Sequence, residues 1–357
     1  MHTSWNTRDI ASLAALRKIE SADVINLVST KSSLEEALET RGMQLLADDV
    51  EALRKHTEAA LTRAHRNGTT IVSWWDSGYP ARLRAIPAPP ALLWVQGVLP
   101  SNDVPCIGIV GTRSCTAAYG KPVTEGLVDE FVRHGCAVVS GLAAGIDTVA
   151  HERTIKRTGV TMAVIASGTD RISPRSAHDL ALRIVKHGGA VVSEYRCGQA
   201  ALPPFFPQRN RIISGLSDAI VVVESAATGG ALITAEFALR HNRPLFAVPG
   251  SITSSRSIGT HRLIAAGKAR ILCNAMDVTS AIGIGMILRE RAPAPALHDP
   301  VQHAIVQALC GGTLHVDAVA RSVGIDVGTA LVQLLELEIA GYVRQVDGLR
   351  FHHTNTV

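Results

Sequence analysis

Between residues 92 and 272 the chain repeats one pattern. A short apolar run is followed by a glycine-containing polar stretch, then by a longer segment with apolar residues at helical spacing. The runs fall at residues 92–95, 107–110, 137–139, 162–165, 190–192, 219–223, 245–248 and 270–272. Several consist of Val and Ile without interruption, as strands buried on both faces require. The intervals predict helices, among them 123–134, 147–157 and 232–241. Strand–helix alternation of this kind predicts an α/β fold built on a Rossmann-like, doubly wound, mostly parallel sheet with right-handed crossovers.

The flanks read differently. From residue 8 to 66 the pattern is helical throughout: Ile10, Leu13, Leu16 and Ile19 recur at helical spacing, as do Val50, Leu53 and Leu61. Asn67-Gly68 ends this stretch, which suggests an N-terminal helical domain over 1–69. Residues 79–90 are rich in proline and read as an irregular connector into a Rossmann-like domain over 70–291. Ala292-Pro293-Ala294-Pro295 marks a linker over 292–298. Beyond it, helices are expected at 300–309, 315–323 and 328–339, with a hairpin over 343–346 and 349–352 turning at Gly348. Three helices and a hairpin predict a winged-helix unit over 299–357.

Composition narrows the class. Hydrophobic residues make up 46% and charged residues 18% of 357, which excludes a disordered chain. No run of about 18 apolar residues suggests a membrane span, and the first 17 residues lack the apolar core of a secretory signal. The six cysteines form no C-x-x-C pair and read as reduced thiols of a cytoplasmic protein. Charge is distributed unevenly. Residues 1–69 carry 9 Lys/Arg against 10 Asp/Glu, residues 70–299 carry 23 against 16, and residues 300–357 carry 3 against 5. Of the 23 central cations 19 are arginine, the side chain suited to bidentate phosphate contacts. A phosphate-bearing partner is therefore expected at the middle of the chain, although a solvated basic face fits the charge equally well.

Ligands of open α/β sheets sit beyond the carboxyl ends of the strands. Three glycine-containing loops follow predicted strands here. The first holds Gly111, Thr112 and Arg113. The second holds Ser140, Gly141, Ala143 and Gly145. The third holds Gly229 and Gly230 and leads into a helix with Thr234. Glycine suits such loops because a Cβ would keep a phosphate from the backbone; tight turns alone could also explain any one of them. Neither G-x-x-x-x-G-K-[ST] nor G-x-G-x-x-G is present, so no nucleotide or nicotinamide cofactor is expected. No histidine pair has metal spacing, and no metal is expected. A fourth element is Phe206-Pro207-Gln208-Arg209-Asn210-Arg211, where planar cations beside an aromatic ring suit single-stranded nucleic acid. The alternative is that Arg209 and Arg211 pair with Glu194 and Asp218 while the phenylalanines join the core.

Taken together, these residues resemble a known family. Tyr79-Pro80, Gly108-Ile109-Val110-Gly111-Thr112-Arg113, Tyr119-Gly120, the run Ser140 to Asp147, His151, Ser193-Glu194-Tyr195, Phe206 to Ile213, Gly230 to Ala235 and Pro249-Gly250 are similar to the DNA-processing protein A (DprA, or Smf) family over about residues 79–275. The resemblance implies a non-enzymatic, dimeric, single-stranded DNA-binding protein that delivers DNA to the RecA recombinase in natural transformation. It implies phosphate-binding loops at Gly111–Arg113 and Ser140–Gly145, a basic clamp at Arg209, Asn210 and Arg211, and self-association at Leu263 and Ile264. The chain departs from the family pattern at Ile172 to Ala177, where Tyr-Pro-x-x-Asn is usual, and at Gly259 to Lys268. Two other readings remain. One is a nucleotide phosphoribohydrolase using Glu236. The other is a nucleotide-sensing regulator, which is disfavoured because helix 328–339 carries Glu336 and Glu338 and no Lys or Arg, and so suits a protein contact better than a duplex.

Overall fold

The computed structural model describes residues 5–16, 19–42, 47–284, 299–340, 342–346 and 348–353. The chain separates into two compact units, Met1–Met286 and Ile287–Val357. The linker expected over 292–298 lies outside the described residues.

Nine strands form the sheet of the first unit: β1 (Thr69–Ser73), β2 (Leu92–Gly97), β3 (Cys106–Val110), β4 (Ala137–Ser140), β5 (Thr161–Val164), β6 (Ala190–Ser193), β7 (Ala219–Val222), β8 (Leu245–Ala247) and β9 (Arg270–Ile271). Their order is β1-β2-β6-β5-β4-β3-β7-β8-β9. From β6 to β9 along that row all pairs are parallel. β1 and β2 join antiparallel at the β6 edge, so the sheet is mixed. β1 is absent from the sequence reading, in which Asn67-Gly68 closes the helical segment. Gly68 takes a left-handed conformation there and turns the chain directly into the strand.

Every residue of β3 to β7 is buried, and alternate positions serve opposite faces. Val110, Val139, Val164 and Val222 pack with Ile212, Ile213 and Leu216 of the helix Phe205–Leu216 and with Ala235. Ile107, Ile109, Val138 and Val221 pack on the other side with Val128, Phe131, Ile146 and Ala150. Gly108 is small for a reason: a Cβ there would lie 2.3 Å from Ile220 Cδ1 and 2.7 Å from Ser217 Oγ. The strand order runs outward from β3 in two directions, which opens a crevice at the carboxyl ends beside β3 and β7.

Helices Thr7–Ala14, Ser21–Thr30, Leu34–Thr40 and Ala47–Arg66 precede the sheet. Leu13, Val24, Leu27, Leu34 and Leu38 form their own cluster, which reaches Ala91 and Leu92. The second unit holds helices Pro300–Leu309, Val316–Val323 and Val327–Ile339 with β10 (Leu314–His315), β11 (Val343–Val346) and β12 (Arg350–His353), the strands ordered β10-β12-β11. Its core is Ile305, Leu309, Val319, Leu334, Leu337 and Phe351. Gly324 supplies the left-handed cap that ends the middle helix, and Asp326 caps the third.

One ion-pair cluster ties two crossover helices, Gly120–Arg133 and Ile146–Lys156. The Asp129 carboxylate accepts from Arg153 Nε and Nη2, both at 2.6 Å, and from Arg157 at 2.8 and 2.5 Å. Hydrogen bonds from Arg153, and then from Arg157, hold Asp129 well below the ordinary aspartate value of 3.8. A carboxyl depressed in the folded state adds stability above its unfolded value and loses it as pH falls through the folded one. Asp129→Asn is therefore expected to lower Tm at pH 7. The gap from the parent should narrow as thermal unfolding is followed below about pH 3.8.

Candidate nucleic-acid interface

Loops leave the carboxyl ends of three adjacent strands, β4, β3 and β7, and bond to one another. Thr112 N–H donates to the Glu224 carbonyl at 2.8 Å, and Ile146 N–H donates to the Thr112 carbonyl at 3.2 Å. Gly145 has φ +81°, and a Cβ there would lie 2.2 Å from Thr112 O. A Cβ on Gly111 would meet Ile146 Cγ1 at 2.5 Å. These two glycines thus let one loop lie against the next. Gly229 is closed in by Ser225, whereas Gly230 is exposed and has no such neighbour within 4 Å.

Beneath the loops lies a buried polar floor. Asp147 accepts from Gly141 N–H at 3.1 Å and Ala143 N–H at 3.4 Å, which fixes the second loop. Arg209 is 6% exposed and donates through Nη1 to the Gly141 carbonyl at 2.8 Å and to the Val164 carbonyl. Burial pushes Asp147 up to about 6 against the pull of Arg209, and burial also lowers Arg209 to about 10. His151, one turn beyond Asp147, bonds Thr161 through Nδ1 at 2.7 Å, and burial lowers it to about 3, so it is neutral at pH 7. Ser140 Oγ donates inward to the Ile109 carbonyl at 2.6 Å, and Thr234 is buried.

The other expected site residues divide between internal and surface positions. Arg211 makes a two-pronged pair with Glu194, both bonds at 2.7 Å. Asp218 pairs instead with Arg82, at 3.3 Å. Asn210 Nδ2 donates to the Gly230 carbonyl at 3.4 Å, tying the helix to the third loop. Leu263 packs into the core and Ile264 lies half-buried against the same cluster. Arg113 is exposed, and its guanidinium carbon lies 6.0 Å from the centroid of the half-buried Phe206 ring. Phe205 turns away to stack on Tyr195, with centroids 4.1 Å apart and planes at 18°. The crevice thus presents a cation, an aromatic ring and the exposed Gly230, over a floor held by Arg209 and Asp147.

Two further residues, Glu224 and Thr116, shape this mouth. Glu224, 2% exposed at the end of β7, accepts from Thr116 N–H at 2.9 Å and Thr116 Oγ1 at 2.6 Å and so anchors the loop after β3. A carboxylate directly after the apolar run 219–223 was the available signal. Glu236 lies exposed in mid-helix. Among the described residues, no three of His, Cys, Asp and Glu gather to hold a metal, and no single helix is long and apolar enough to cross a membrane.

Fold and site together define a mixed α/β protein with a composite loop site at the carboxyl edge of its sheet, followed by a small helical unit with a hairpin. Residues 70–283 match the model of the DNA recombination-mediator protein A family, and residues 289–348 match that of the DprA winged helix domain. The chain belongs to the DprA/Smf family. It is 34% identical over 302 residues to protein Smf of Escherichia coli, covering 83% of this chain and 80% of that relative. It is 38% identical over 234 residues to DNA processing protein DprA of Bacillus subtilis, covering 65% and 78%. Among solved structures it is similar to DprA from Streptococcus pneumoniae, with TM-score 0.61, 29% identity and coverage of 77% of this chain and 98% of that one. DNA processing protein A from Helicobacter pylori, described for its single-stranded DNA binding mode, gives TM-score 0.53 and 26% identity, covering 60% of this chain and 95% of that one.

Proposed function

We propose that this protein binds single-stranded DNA without enzymatic turnover, protects incoming strands and hands them to the RecA recombinase during natural transformation, acting as a homodimer in the cytoplasm. The observation that carries the reading is the pairing of Arg113 with Phe206 at the junction of three loops. A cation meets phosphate there while a ring offers a stacking surface for a base, the combination that sequence-tolerant single-strand binding uses. Family membership and the relative described for single-stranded DNA binding support it. In this reading residues 1–69 are the helical (SAM-like) domain, 70–291 the Rossmann-like DNA-binding domain, 292–298 the linker and 299–357 the winged helix.

Titrating the protein with oligo-dT, a duplex of equal length and a nucleoside monophosphate tests the reading. The single strand is expected to bind much more tightly than the other two. Preference for the mononucleotide, or its hydrolysis, would replace the reading with a nucleotide enzyme.

Residues 300–357 carry 3 cations against 5 anions, which opposes a phosphate contact. Truncation after Ala292 is accordingly expected to leave affinity for a short oligo-dT within a few-fold of the full chain. A hundredfold fall, about 2.7 kcal/mol, would make the winged helix a DNA-binding module in its own right.

A further inference from the structure

A cavity of about 790 Å³ opens at the carboxyl ends of β5 and β6, on the same edge of the sheet as the crevice mouth. Asp170, Arg171, Arg175 and His178, from the segment after β5, line it together with Ala200 and Ala201 from the segment after β6. Ala201 is five residues before Phe206 in the chain, so the cavity wall and that residue are at most about 18 Å apart. At about 3.4 Å per stacked nucleotide, a strand seated on the Phe206 ring reaches the cavity within about five nucleotides.

Cations outnumber anions around this cavity, and they lack partners. The guanidinium groups of Arg171 and Arg175 are exposed and make no ion pair or hydrogen bond among the described residues. Arg63, in the last turn of helix Ala47–Arg66, adds a third cation nearby. A Cβ on Gly198 would lie 2.9 Å from its Nη1, and Gly198 N–H donates to Asp170 of the cavity wall at 2.7 Å. Arg196, two residues before Gly198, has its Nη1 buried without an acceptor, and burial disfavours its charge. A desolvated guanidinium nitrogen with no acceptor is costly, and an anion within reach offsets that cost. The two carboxylates do little to balance these charges. Asp170 is engaged by Gly198, and Asp179 is 97% exposed, with His178 Nδ1 3.7 Å from it. No Phe, Tyr or Trp lines the cavity, so it offers contacts to phosphate without a stacking surface, unlike the mouth at Phe206.

We propose that this cavity takes a phosphate monoester, the terminal phosphate of a single strand whose next bases run to the mouth at Arg113 and Phe206. The inference rests on the single-strand reading given above. A monoester carries a charge of about −1.5 to −2 at pH 7, more than the single charge of an internal diester, and its oxygens can accept from more than one guanidinium fork. Several unpaired arginines in one place therefore match the end of a strand better than its interior. The protein thereby reads where a strand stops as well as that it is single.

Oligo-dT of one length, carrying a 5′-phosphate, a 3′-phosphate or hydroxyls at both ends, tests this on the full-length protein and on its Arg171→Ala/Arg175→Ala double variant. Both side chains are exposed, and an unchanged Tm shows that the variant is folded. One end phosphate is expected to tighten binding at least tenfold over the hydroxyl-ended strand. The double variant should bring that ratio close to one while still binding the hydroxyl-ended strand. A ratio near one in the parent protein overturns the proposal, as does a gain that survives in the double variant. An equal gain from either end also overturns it, since one cavity beside one mouth fixes the strand's polarity. In each of these cases binding of hydroxyl-ended oligo-dT leaves the single-strand reading standing; if no oligo-dT binds, that reading and this inference fall together. Binding of dTMP as tight as that of the end-phosphorylated strand, and abolished in the double variant, would assign the cavity to a free nucleotide and overturn the proposal.

Discussion

Arg209→Ala is expected to destabilise the first unit by about 3–5 kcal/mol, the usual cost of removing one member of a buried charge pair. The guanidinium ties the end of β5 to the second loop through Val164 and Gly141, while Asp147 holds the N–H side of that loop. Without Arg209, Asp147 keeps two backbone donors but loses its countercharge, and the Gly141 and Val164 carbonyls lose a donor. Urea unfolding at pH 7 measures the loss. Arg209→Lys should recover part of it, since a single ammonium cannot reproduce the planar fork. A surface clamp would behave in the opposite way, with unchanged stability and weaker, less salt-dependent DNA binding.

The crevice mouth should separate charge from stacking. Arg113→Ala is expected to weaken oligo-dT binding and flatten the log–log salt slope by roughly 0.7, the share of one single-strand phosphate contact. Phe206→Ala should cost about 1–3 kcal/mol of binding with the slope unchanged. Because the guanidinium lies 6.0 Å from the ring in the free protein, a base entering the mouth competes with Arg113 for the same face. The double variant should then lose a different amount from the sum of the singles, and the cycle measures that coupling. Unchanged affinity in both folded single variants would remove the mouth from the DNA path.

How much of this was legible in the sequence follows from what each feature depends on. The central strands were readable because burial on both faces demands unbroken Val and Ile, and β3, β4 and β7 begin at or within one residue of their apolar runs. β1 was not, because Thr69–Ser73 is half-exposed and follows directly on a helix stop. The short helix Ala81–Arg84 was hidden by the prolines around it. Within the site, loop positions were legible as glycines after strands, but their physical role was not. Gly111 and Gly145 make room for a neighbouring loop, a relation between segments more than 30 residues apart. Arg209 read as a cation on an amphipathic helix. That it faces inward depends on Asp147 and on the Gly141 and Val164 carbonyls, all more than 40 residues away in the chain, and local patterning carries no trace of such partners.

The pairing of β2 with β6 has a consequence for how the chain is made. Trp94 and Val95 find their sheet partners Ser193 and Val192 nearly a hundred residues later. During synthesis, at the order of 5–20 residues per second, β2 waits for several seconds with β1 as its one strand neighbour. In the finished fold the N-terminal helices pack on a face of this strand, through Ala91 and Leu92 in their own cluster and through Ala60 and Ala64 against Trp94. If they dock before β6 emerges, they cover the apolar face of a strand whose edge is still open to other nascent chains. Deleting the helices should lower the yield of soluble protein even where the finished sheet can form without them.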